Sequence, residues 1–134
     1  FQISREEKER IEHEAVHKIL SGLIDGEQIE RIFLEFDAHK TAEAKFAYMC
    51  DKLECDLQCK LYDEEGCVDL NDQEDNETAA NSHVKALLES EKTWSGMWLK
   101  FGQEKYPYDE NFMAVSEYAM KNTLSRCIKS TTVI

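Results

Sequence analysis

Pro107 is the single proline among 134 residues, and only five glycines accompany it. Proline removes an amide donor and clashes with the preceding helical turn, and glycine costs a helix interior about 1 kcal/mol relative to alanine. A chain this poor in both has long stretches that nothing interrupts. With 42% hydrophobic and 33% charged residues, those stretches can be striped into apolar and charged faces. The expected fold class is therefore all-α, with five to six helices. The length suits one domain, burying roughly two-thirds of the surface its unfolded chain exposes.

The stripes locate the helices. Ser4 and Glu7 form a capping-box pattern that opens a first helix to about Ser21, stopped by Gly22. Its apolar stripe is Ile11, Ala15, Ile19 and Leu23, opposite Glu6, Arg10, His13 and His17. A second helix, Gly26 to Ala38, carries Ile29, Ile32, Phe33 and Phe36 at helical spacing. Thr41 is a fitting cap for a third and longest helix, ending near Tyr62, with Phe46, Cys50, Leu53, Leu57 and Leu61 as its main stripe. Asp51 falls off that stripe, on a flank shared with Ala47, Glu54 and Gln58, and is expected to face a second packed layer or a cleft.

From Asp63 to Glu77 there are eight carboxylates and no Lys or Arg, which predicts a solvated loop. Beyond it, helices are expected near 82–89, near 93–104 with Trp94, Met97, Trp98 and Phe101 inward, and after Pro107. Asp109 caps the last of these, with Phe112, Val115 and Ala119 inward. The organisation expected is one helical domain: residues 1–62, an acidic loop over 63–80, C-terminal helices over 81–124 and a tail over 125–134. The chain begins at Phe1 rather than at a methionine and enters a helix almost at once, so a preceding segment is expected.

A net charge of -12 argues against nucleic acid as partner, because such binding uses clustered cations to displace counterions. No apolar run approaches the length of a membrane span, and the first residues lack the layout of a signal peptide. A soluble, cytoplasmic chain is expected. The five cysteines, Cys50, Cys55, Cys59, Cys67 and Cys127, are odd in number, and three lie in one expected helix. That is thiol usage rather than a disulfide framework, and Cys55 with Cys59 lacks the companions of a metal site.

One string carries a recognisable chemistry. His13-Glu14-Ala15-Val16-His17 matches HExxH, in which two imidazoles one turn apart hold zinc and the glutamate acts as base. No third histidine follows at the required spacing, and both rings lie opposite the apolar stripe, where water is the simplest neighbour. Two exposed histidines are the expected outcome. A calcium loop read from Asp69 fails because Glu74 stands where the turn needs glycine. His39 and His83 are lone histidines near helix starts.

The third helix carries a more specific pattern, Thr41-Ala42-Glu43-Ala44-Lys45-Phe46-Ala47-Tyr48-Met49-Cys50-Asp51-Lys52-Leu53-Glu54, continuing to Gln58 and Tyr62. It resembles the last metal-binding helix of the HD-domain phosphohydrolases, in the branch that contains bacterial 5'-deoxynucleotidases. The likeness extends from about Ser4 to Thr123 and is most specific at Glu43-Ala44 and Asp51-Lys52-Leu53-Glu54. It implies that Asp51 is a metal ligand, the last of a set whose other members are an upstream His and a His-Asp pair. No His-Asp dipeptide occurs in this sequence, so those donors are expected before Phe1.

The resemblance further implies a divalent cofactor (Mn, Co, Mg, Fe or Zn), a small-molecule phosphate ester as substrate, in particular a nucleoside monophosphate, and a homodimer. The residues 1–134 alone are expected to be inactive. Two other classes compete: a non-catalytic helical interaction module, and an HExxH zinc peptidase that alone would need His17.

Overall fold

The computed structural model describes residues 3–73 and 75–124; the expected tail over 125–134, with Cys127, lies outside the described residues. Among the described residues there are seven helices and no strand, so the chain is all-α with one helix more than expected. They are α1 (Arg5–Leu20), α2 (Gly26–Ala38), α3 (Ala42–Glu64), α4 (Glu77–Ala80), α5 (Ser82–Glu91), α6 (Trp94–Lys105) and α7 (Glu110–Lys121). The extra one is α4, a single turn started by Asn76, whose side chain accepts from Thr78 and Ala79 amides at the end of the stretch expected to be loop. The chain divides into two compact units, Phe1–Tyr48 and Met49–Ile134, with α3 beginning in the first and ending in the second.

In the first unit α1 starts where expected: the Ser4 hydroxyl accepts from the Glu7 amide at 3.2 Å. The reciprocal half of the capping box is replaced, because the Glu7 carboxylate pairs with Arg10 one turn on, at 2.7 Å. The turn into α2 is tight. Gly26 is buried, and a Cβ there would collide with the Leu20 carbonyl oxygen, so only glycine fits.

The packing of α1 reverses the expectation. Ile11, Ala15, Ile19 and Leu23 are exposed, Ile19 at 69% and Leu23 at 57%, whereas His13 and Val16 on the other side are half-buried. The cause is polar. The His13 Nε2 lies 2.7 Å from Asp37 Oδ2, and the exposed His17 has Nδ1 3.0 Å from Glu30 Oε1, so two carboxylates of α2 hold the imidazole face of α1. Phe33 meets the His13 ring edge-on at 5.9 Å. After α2, His39 adopts a left-handed conformation (φ 50) and packs on Tyr48 with ring centroids 4.2 Å apart.

The second unit holds the apolar core. Val84, Leu87 and Met97 are buried together, with Leu88, Trp94, Trp98 and Phe101 against them. This is the inward face expected for α6. Leu99 and Met97 are fully buried, each worth roughly 1.5–3 kcal/mol of burial. On α7, Ala119 is inward as expected and Phe112 half-buried, but Val115 is 47% exposed and Ser116 takes the inward place, where its hydroxyl accepts from Gln103 at 3.0 Å. Thr93 and Asp109 cap α6 and α7 as their residue types predict.

Candidate functional site

The long helix α3 carries both Asp51 and Asp56. Thr41 opens it, its hydroxyl accepting from the Ala44 amide at 3.2 Å and donating to Glu35 at 2.7 Å. Ala44 and Leu53 are buried, while Phe46 and Cys50, expected on the inward stripe, are exposed. Leu53, Leu57, Leu61 and Phe112 of α7 instead flank an apolar groove of about 370 Å³.

Asp51 stands on the outer flank of α3 with its side chain half exposed, its carboxylate 2.8 Å from the Lys52 ammonium. Asp51 lines neither this groove nor a second, smaller cavity on α3. Its position suits one hard oxygen donor, since an exposed carboxylate can turn toward a cation without first leaving a buried site. The described residues do not complete a divalent-ion site. Among the described residues no group of three or more His, Cys, Asp or Glu side chains converges on one point.

The HExxH string is used otherwise. His13 and His17 each engage a separate carboxylate of α2 and so serve the α1 and α2 contact, whereas Glu14 pairs with Arg10 within α1. The expectation of exposure holds for His17 and is corrected for His13, which is half-buried by its pairing with Asp37. Cys50, Cys55, Cys59 and Cys67 are free thiols. Burial pushes the Cys59 thiol up to about 11, so it is protonated at neutral pH.

The residue that sequence reasoning missed is Asp56. It is 5% exposed and is the one buried charged side chain among the described residues. Burial drives its carboxyl up to about 6, against the opposing effects of a 3.3 Å hydrogen bond from the Tyr108 hydroxyl and of nearby Lys52. Tyr108 is raised in turn, by burial and by Asp56. A signal existed in Gly102, a glycine within α6. A Cβ at that position would run into Asp56 Oδ2, so α6 is left bare where the carboxylate enters.

A family model described as an HD domain matches residues 1–94. A 5'-deoxynucleotidase of Schizosaccharomyces pombe, hdd1, is 39% identical over 67 residues, covering 46% of this chain and 34% of that protein. The chain therefore spans about a third of the length of that relative. No solved structure is significantly similar. No helix among the described residues is long and apolar enough to cross a membrane.

Proposed function

Because this chain belongs to the HD-domain family, we propose that it forms the C-terminal part of a metal-dependent phosphohydrolase acting on a phosphate ester of the nucleoside monophosphate class. The observation that carries this reading is the family match over residues 1–94, which includes the whole Thr41-to-Tyr62 pattern with Asp51. Asp51 supplies one carboxylate oxygen to a divalent cation, and residues outside these 134 supply the histidines and the second aspartate. The reaction consumes water and a phosphate monoester and yields the alcohol and inorganic phosphate.

The charge balance supports this division of labour. A chain at -12 repels anionic phosphate esters at long range, so attraction has to come from local positive charge at the site. Lys52 is the cation nearest Asp51, at 2.8 Å, and it keeps that carboxylate neutralised. One carboxylate leaves most coordination positions to water and holds a divalent ion weakly, so residues 1–134 alone are expected to be inactive. The test is phosphate release from deoxynucleoside 5'-monophosphates with manganese or cobalt. It compares the 134-residue chain with the same chain joined to the segment encoded immediately before Phe1.

Metal-dependent turnover is expected only in the longer protein, with Asp51→Ala abolishing it while helical content is retained. An inactive longer protein would remove the hydrolase assignment and leave the interaction-module reading, for which the exposed Ile11 and Ile19 face of α1 is the supporting observation.

A further inference from the structure

Asp56 poses a question that the hydrolase reading does not answer. Burying a carboxylate is costly, and neither the hydrogen bond from the neutral Tyr108 hydroxyl nor the charge of nearby Lys52 offsets that cost, so burial still raises the Asp56 carboxyl. Yet the fold accommodates it: α6 places Gly102 where any side chain would displace Oδ2. Beside the carboxylate is a cavity of about 220 Å³ lined by Lys52, Cys55, Asp56, Cys59, Trp98 and Tyr106, all within the second unit. Its one positively charged wall residue has its ammonium on Asp51, 2.8 Å away.

We propose that this cavity is a binding site for a small organic cation, an amidinium or primary ammonium on a compact apolar body, with Asp56 as counter-ion and Trp98 and Tyr106 as walls. The chemistry selects this class against its alternatives. An anion would meet a buried carboxylate. A soft metal ion would need thiolates, and the thiols of Cys55 and Cys59 are both held protonated by burial. A hard metal ion would need several oxygen donors, and the cavity offers one carboxylate. An organic cation satisfies both parts of the lining, because its charge neutralises Asp56 while aromatic faces favour a cation and its apolar body together. The site is independent of the hydrolase reading, since it uses neither Asp51 nor a metal.

The experiment is calorimetric titration of the 134-residue chain at about pH 7.5 with benzamidine and, separately, with benzamide, its neutral isostere. Added salt of about 0.3 M suppresses loose attraction of cations to an acidic surface. Benzamidinium is expected to bind with one-to-one stoichiometry and to change tryptophan emission, with benzamide at least about tenfold weaker. Asp56→Asn should weaken benzamidinium about tenfold or more while circular dichroism stays unchanged. Equal binding of the two probes would show an apolar pocket and overturn the proposal. So would the absence of benzamidinium binding, or an affinity that Asp56→Asn leaves unaltered. The comparison of probes on the unaltered chain decides the matter even if the substitution disturbs folding.

Discussion

The two units of this chain use opposite means to hold helices together. In Phe1–Tyr48, α1 meets α2 through imidazole and carboxylate pairs, and the large aliphatic side chains Ile11, Ile19, Ile29 and Ile32 remain exposed. In Met49–Ile134, Met97 and Leu99 are fully buried, and aromatic rings pack around Met97. Exposed ion pairs contribute about 0–1 kcal/mol each, whereas a buried aliphatic side chain contributes roughly 1.5–3 kcal/mol. The second unit therefore carries the stability of the described chain, and the first has an apolar surface that burial would stabilise.

The largest effect expected from this contrast comes from cutting the core. Met97→Ala should destabilise the second unit by about 2–5 kcal/mol, against no more than about 0.5 kcal/mol for Ile19→Ala in the first. Both tryptophans, Trp94 and Trp98, belong to the second unit, so urea unfolding followed by tryptophan emission reports it selectively. Similar small losses from both substitutions would break the comparison.

A smaller effect should follow pH. The folded state raises the Asp56 carboxyl from 3.8 to about 6, so protonation favours the folded form. Its contribution is complete below the unfolded value and is lost as pH rises through about 6. On the order of 2 kcal/mol should disappear across that window, allowing for solvent screening from the cavity side. Asp56→Asn should remove this pH dependence, which denaturant midpoints between about pH 4 and pH 7 would reveal. An unchanged dependence would mean that other carboxylates set it.

The smallest expected effect lies in the first unit. His17→Ala breaks an exposed pair with Glu30 and should cost about 0.2–1 kcal/mol, with His13→Ala at the upper end because the ring also meets Phe33. Amide hydrogen exchange along α1 is the sensitive measurement. A collapse of α1 on either substitution would show that the clasp, rather than helix propensity, maintains it.

Local chemistry made the helix starts legible. Ser4, Thr41 and Asp109 cap as their types predict, because a cap depends on three or four neighbouring residues. The rotational setting of α1 was not legible. Periodicity finds an apolar stripe, but the face that turns inward depends on Glu30 and Asp37, which lie one helix away. The same holds for Asp56: nothing near it in sequence marks it, and Gly102 and Tyr108, which explain it, are about fifty residues distant. Asp51 was singled out by family resemblance, and its exposed position on α3 adds only that its carboxylate is accessible.

One further consequence lies at the C-terminal end of α3. Asp63 accepts from both the amide and the hydroxyl of Ser95 at the start of α6, at 2.9 and 2.7 Å. Glu64, paired with Lys60, accepts from the Leu124 amide at 2.9 Å. Two adjacent acidic side chains thus fasten α3 to segments far along the chain, upstream of most of the acidic stretch. The intervening residues are relieved of setting where α6 begins. Doubling the length of a flexible connection costs only about 0.6 kcal/mol in closure entropy. The span from Cys67 to Gln73 is accordingly where this chain can absorb insertions, a grafted peptide or a reporter sequence, while the anchored helices keep their places.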